Sequence, residues 1–174
     1  MTILRRTAVL AGLGLSVVLA APSADAVELP KPAASTLRGP AAVATAARTY
    51  AAFWNTGDPV LARSALAENF VDRTLPEGRP QGVAGPIAAS AAFRAAVPDL
   101  AAVIDDLIVA DDRAVVRLRF TGHFSGRFQD LVGDGRAIDF RAVDVYRVEN
   151  GRIAENWHLE DNLTLLTQLG RIAK

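Results

Sequence analysis

The sequence has no cysteine, one methionine and two histidines in 174 residues. Without cysteine there is no disulfide framework, no thiol nucleophile and no thiolate zinc site. The two histidines, His123 and His158, are too far apart to form an H-E-x-x-H pair, so no histidine-based metal site is expected. There is also no excess charge. Nineteen basic residues balance nineteen acidic ones, which removes the basic surface a nucleic-acid binder needs for counterion release. No glycine-rich phosphate loop follows a strand, and no G-x-S-x-G elbow is present, so nucleotide binding and serine hydrolysis lack support. Aromatics are only 6% of the chain, although hydrophobic residues reach 51%.

Part of that hydrophobic share lies at the N-terminus. Arg5 and Arg6 precede an uncharged apolar run, Thr7–Ala21, and Ser23-Ala24-Asp25-Ala26 offers a small-x-small cleavage site. This is the layout of a secretory signal over residues 1–26. The run falls short of the roughly 20 residues that span a bilayer, so no stable membrane span is expected after cleavage. The expected destination is secreted or extracytoplasmic, by Sec export or, given the paired arginines, the twin-arginine route. Residues 27–39, with Pro30 and Pro32, read as a flexible leader, and 40–174 as the folded domain.

Pro40 opens a helical pattern in which Val43, Ala46, Ala47, Tyr50, Phe53 and Trp54 share one face. Asn55-Thr56-Gly57 ends it, and Asp58-Pro59 starts a second helix as cap and first residue, running to about Ala67. Phe70–Thr74 is a short strand candidate. Gly78–Gly85 is a loop, and a third helix runs from Pro86 to near Val97. Residues 101–110, 113–124, 136–149 and 152–160 read as strands, separated by Asp111-Asp112, a longer Gly126–Gly135 excursion, and Asn150-Gly151, a strong hairpin turn signal. Asp161 begins a closing helix through Leu169. Helices first and antiparallel strands second predict an α+β fold, with helices packed on one face of a curved sheet.

The last hairpin orders the acids. With Asn150-Gly151 as a two-residue turn, Glu149 faces Arg152, Tyr146 faces Glu155, Asp144 faces Trp157, and Phe140 faces Asp161. Side-chain alternation then puts Ile138, Phe140, Asp144, Tyr146, Glu155, Trp157 and Asp161 under the helices, with Glu155 at the rim. Asn156, His158 and Glu160 fall on the solvent face. A carboxylate on an apolar face has its pKa raised, as a general acid or base near neutral pH requires. Asp144 and Asp161 are therefore candidates, roughly 13 Å apart at 3.4 Å per residue, too far to share a proton. Each has a structural alternative: Asp161 as the cap of the closing helix, Asp144 as an ion-paired or backbone-bonded residue. Asp72, beside Phe70, is similar. His123 alternates with Arg117, Arg119 and Thr121, which favours a surface or interface position over a catalytic one. Tyr50, Phe53, Trp54, Phe70, Phe93, Phe128, Phe140 and Trp157 make an ordinary core or line an apolar pocket.

Three stretches carry a family likeness: "YAAFWNTGDPVLARSALAENFVDRT", "FRAAVPDLAAVIDDLIVADDRAVVRLRFTGHFSG" and "DVYRVENGRIAENWHLEDNLTLLTQLG". With Trp54-Asn55-Thr56-Gly57-Asp58, Pro98-Asp99, Thr121-Gly122-His123, the W-x-x-x-D of Trp157 to Asp161, and Gln168-Leu169-Gly170 in order, the chain resembles the SnoaL-like polyketide cyclases of the NTF2-like superfamily. The likeness covers about residues 45–170. It implies a cone-shaped α+β barrel, a homodimer or homotetramer, and one open apolar pocket. It also implies an aspartate acting without metal or organic cofactor in an aldol or ester cyclisation, and that aspartate falls on Asp161. Asp144 or Asp72 and His123 would orient or polarise the substrate. Two motifs differ from the family's habit: Asp72-Arg73 stands for Asp-His, and Gly133-Asp134-Gly135 for a Pro-Thr-Gly turn. The functional expectation is a cofactor-free acid/base catalyst of aldol-cyclase or isomerase type on a small apolar carbonyl compound. The alternative is a non-catalytic module that binds a small apolar ligand or mediates assembly, since fold alone does not fix function.

Overall fold

The computed structural model describes residues 39–172. The expected signal segment (1–26) and nearly all of the expected leader (27–39) lie outside these residues.

Helix α1 (Pro40–Thr56) starts with proline at its first position and ends on Gly57. Gly57 has φ 76° and donates its N–H to the Phe53 carbonyl at 2.7 Å, so a left-handed residue is needed there. The face bearing Val43, Ala46, Ala47, Tyr50 and Phe53 is buried. Asn55 fixes the helix end to the sheet by accepting the Ala102 N–H at 3.0 Å. Asp58 caps α2 (Pro59–Ala65) through the Val60 N–H, 2.9 Å away. The second helix is shorter than the pattern suggested, because Leu66 turns extended and begins β1 (Leu66–Asp72). That strand therefore lies earlier than the Phe70–Thr74 expectation.

Helix α3 (Ala84–Ala96) begins two residues before the expected start at Pro86. A proline in the first turn is tolerated because its missing N–H has no intrahelical acceptor there. Strands β2 (Ala101–Ala110), β3 (Arg113–Phe124), β6 (Arg136–Glu149) and β7 (Arg152–Glu160) match the four segments read from alternation. The excursion between β3 and β6 forms a small hairpin of β4 (Arg127–Phe128) and β5 (Leu131–Val132). It docks on the end of α3, where Ser125 and Gly126 donate to the Ala96 carbonyl. The approach is so close that a Cβ on Gly126 would lie 1.9 Å from the Ala95 carbonyl oxygen. Helix α4 (Asn162–Gln168) closes the fold.

The sheet order is β1-β7-β6-β3-β2, parallel only between β1 and β7. The α+β expectation holds: among the described residues, four helices pack on a curved, mostly antiparallel sheet. The sheet does not close, since β1 and β2 are its two edges. Its inner face carries Ala114, Val116, Leu118 and Phe120 on β3, and Ile138, Phe140, Ala142 and Tyr146 on β6, all buried.

The last hairpin departs from the expected register. Its turn is as read: Glu149 pairs with Arg152, and Asn150 and Gly151 have φ of 50° and 74°. Val148 pairs with Ile153, but Arg147 then pairs with Glu155, leaving Ala154 as one extra residue on β7. A bulge of this kind turns every later side chain to the opposite face. Tyr146 pairs with Asn156, Asp144 with His158, and Ala142 with Glu160. Asn156, His158 and Glu160 therefore face inward, and Glu155, Trp157, Leu159 and Asp161 outward.

Candidate active site

Between the inner sheet face, α1, α3 and the loop before α3 lies a cavity of about 600 Å³. Its wall has two parts. The polar part comes from β1, β7 and β6: Asp72, Asn156, His158, Glu160 and Asp144. The aromatic part holds Tyr50, Trp54, Phe93, Phe120, Phe128 and Phe140. Phe120 and Phe140 stack at 5.0 Å between centroids, and Phe93 meets Phe140 edge-on at 5.8 Å.

Asp144 sits where these parts meet. It is 4% exposed, and its Oδ2 accepts the Tyr146 hydroxyl at 2.6 Å. Burial drives its pKa up to about 6, against the opposing effects of the Tyr146 hydrogen bond and the His158 charge. The raised pKa expected for this residue is present. Tyr50, on α1, keeps its proton far into the alkaline range, first through burial and then through the Asp144 charge.

His158 lies between two carboxylates. Its Nδ1 is 2.7 Å from Glu160 Oε1, and its Nε2 is 3.1 Å from both oxygens of Asp72. Burial opposes a charge on this ring, but the hydrogen bond and charge of Glu160, followed by those of Asp72, outweigh it and hold the imidazole at about 9. Glu160 is opposed by burial in the same way, yet the His158 bond keeps its pKa below the usual range. The strand-edge residue Asp72 is itself gripped. Gln81 accepts the Asp72 N–H at 2.7 Å and donates to its carbonyl at 3.0 Å.

Asp161 is not part of this wall. The bulge turns it outward, where it caps α4 by accepting the Thr164 N–H at 3.0 Å. That bond lowers its pKa instead of raising it. The expectation of a second carboxylate on the apolar face is corrected, and the helix-cap alternative describes its geometry. Asp161→Ala is expected to lower the midpoint of thermal or urea unfolding modestly, as loss of an N-cap does, and to leave ligand affinity unchanged. Glu155 is likewise not a rim residue of the inner face. It pairs outside with Arg147 and Arg73, which pull its carboxyl down to about 2.

His123 is an exposed surface residue, bonded through Nδ1 to Asp99 Oδ2 at 2.6 Å and separate from the cavity. Of the aromatics, Tyr50, Trp54, Phe93, Phe128 and Phe140 line the cavity. Phe53 and Phe70 are core, at 0% and 3% exposure. Trp157 faces outward, with the Arg113 guanidinium 5.3 Å from its ring centroid. Reading the sequence missed His158, Glu160 and Asn156. The available signal was the adjacent apolar pair Ile153-Ala154, which breaks strict alternation and marks the bulge.

Among the described residues, no group of three or more His, Cys, Asp or Glu is placed to hold a metal ion. No helix among them is long and apolar enough to cross a membrane.

Fold and cavity together define an α+β pocket protein with an acid–base cluster set against an aromatic wall. The chain belongs to the SnoaL-like polyketide cyclase family of the NTF2-like superfamily, whose sequence profile matches residues 44–169. Many solved structures are similar, among them the following three. A candidate polyketide cyclase from Bacillus cereus is 45% identical, over 76% of this chain and 83% of that one, with a TM-score of 0.69. TsrD from Streptomyces laurentii is 30% identical over 76% and 97%, with a TM-score of 0.68. IdmH, a candidate polyketide cyclase from Streptomyces antibioticus, is 26% identical over 74% and 98%, with a TM-score of 0.66. No curated protein gives a match.

Proposed function

We propose that this chain is an exported, cofactor-free acid/base catalyst of the aldol-cyclase or isomerase type, acting on a small apolar carbonyl compound. The observation that carries the proposal is Asp144: a carboxyl 4% exposed in the cavity wall, with a pKa of about 6. Near neutral pH it is mostly ionised yet poorly solvated, which suits it to take a proton from a carbon beside a carbonyl and later return it. Family membership supports the reaction class.

The step balances without a co-reactant. Asp144 removes the proton, and the C–H electrons become an enolate whose oxygen accepts the Tyr50 O–H. In a cyclisation the enolate carbon bonds to a second carbonyl of the same molecule. The alkoxide formed there takes the proton back from Asp144. In an isomerisation the proton returns to a different carbon. The His158 charge disfavours protonation of Asp144 and so keeps the base form populated at neutral pH. The aromatic wall binds the apolar body of the substrate and excludes water from the enolate.

The export part of the proposal rests on the Arg5-Arg6 pair and the apolar run after it. A homodimer or homotetramer is supported by the outer sheet face, where Val103, Ile108, Val143 and Leu159 are exposed.

The test uses 2-tetralone, a flat ketone with acidic C–H bonds, in deuterated buffer. The protein should accelerate loss of the α-proton NMR signal, and the acceleration should rise with pH through about 6. Saturable binding of 2-tetralone with no acceleration at any pH would overturn catalysis and leave a binding module.

A further inference from the structure

The polar wall contains a side chain that the proposed chemistry leaves unused. Asn156, on β7, pairs across the sheet with Tyr146 on one side and with Asp72 on the other. The residue is 4% exposed and lines the cavity. Its Oδ1 is buried and has no hydrogen-bond partner among the described residues. Neighbouring polar groups are engaged: Asp144 with Tyr146, His158 with Asp72 and Glu160, and the Asp72 backbone with Gln81. A buried amide oxygen without a partner is unfavourable, and native structures rarely keep one without a reason. The last torsion of asparagine is soft and roughly two-fold, so rotation about it exchanges the amide oxygen and nitrogen at the cavity wall at little cost.

We infer that Asn156 is a specificity-determining residue, whose amide accepts a hydrogen bond from a hydroxyl on the ligand. The inference deepens the reading of the same cavity. It narrows the substrate class from an apolar carbonyl compound to a hydroxylated one, phenol or enol, with its flat apolar part against Phe93, Phe120 and Phe140. Acceptors already crowd the polar wall in Asp72, Asp144 and Glu160, so a donor-bearing ligand suits it and an ether or bare hydrocarbon does not. A site built to bond a hydroxyl rejects the analogue lacking it because the site's own polar group then stays unpaired.

The experiment compares 2-naphthol with 2-methoxynaphthalene, which differ only in the hydroxyl hydrogen replaced by methyl. Calorimetric titration of the wild-type chain should show 2-naphthol binding at least about tenfold tighter. In Asn156→Leu the preference should shrink to within about twofold, chiefly through weaker 2-naphthol binding. Equal wild-type affinities would overturn the inference, as would a preference that survives in Asn156→Leu. The wild-type protein gives a second reading that does not depend on the variant folding. The Asn156 side-chain amide resonances should shift with 2-naphthol and stay in place with 2-methoxynaphthalene; the same response to both would overturn the assignment. These readouts are binding measurements, so they are independent of proton exchange on 2-tetralone. Failure of one leaves the other standing.

Discussion

Asp144→Asn should slow proton exchange on 2-tetralone by about 10³-fold while changing its affinity less than threefold, because a single positioned acid/base contributes about 10²–10⁴. The substitution is close to isosteric, and its carbonyl oxygen can still accept the Tyr146 hydroxyl, which lies 2.6 Å from Oδ2 in the wild type. Stability should move in the other direction. A carboxyl lifted from 3.8 to about 6 gains a proton more readily when folded than when unfolded. Ionisation therefore costs no stability below pH 3.8, and the cost builds up until pH has risen through 6. At pH 7 the buried charge therefore costs up to about 3 kcal/mol, at about 1.4 kcal/mol per pKa unit. Asp144→Asn removes that cost, so at pH 7 it should melt at or above the wild-type temperature. The difference should vanish below pH 4, where both side chains are neutral. An inactive variant that is no less stable marks a residue kept for chemistry. A variant with lowered stability and full exchange would assign Asp144 a structural role instead.

The sequence was informative wherever a local period or turn governed the outcome. Alternation in β2, β3, β6 and β7 located the strands, and Asn150-Gly151 fixed the hairpin turn, because each depends on near neighbours. Asp144 was legible too: its face is set by its own strand, where Ile138, Phe140 and Tyr146 keep strict alternation. The error on β7 came from one residue. Ala154 is absorbed as a bulge, and a strand's period of two carries no memory of which face it belongs to after such a slip. Everything beyond it changed sides: Asp161 left the cavity and His158 and Glu160 entered. The motif W-x-x-x-D survived as sequence while its aspartate became a helix cap. The His158–Asp72 contact was out of reach for another reason, since it joins β7 to a parallel neighbour 86 residues away in the chain.

His158→Leu should be the most damaging single change to the polar wall, lowering stability at pH 8 by about 3–5 kcal/mol, the usual cost of leaving buried charges unpaired. In the wild type the ring separates Asp72 and Glu160 and bonds both. Both histidine and aspartate side chains here are under 10% exposed, at 7% and 6%, so solvent screens the pair little. Leucine would leave two carboxylates facing one apolar side chain. The pH dependence separates this charge loss from simple misfit. In the folded wild type His158 is lifted from 6.5 to about 9, so its stabilisation is complete below pH 6.5 and disappears as pH rises through 9. Across that window the wild type should lose about 3 kcal/mol in urea unfolding. His158→Leu should show no such loss, because it has nothing to titrate there. It should instead gain stability as pH falls toward 5, because Glu160 loses the His158 bond that lowers its pKa and keeps the burial that raises it. A second consequence reaches Asp144. The His158 charge lowers the Asp144 pKa, so its removal should move the rising limb of 2-tetralone exchange to higher pH. His158→Gln, neutral yet able to hydrogen-bond, should recover part of the stability but not the position of that limb. If the limb stayed near 6 in both variants, the cluster would be holding β1 to β7 without tuning the base.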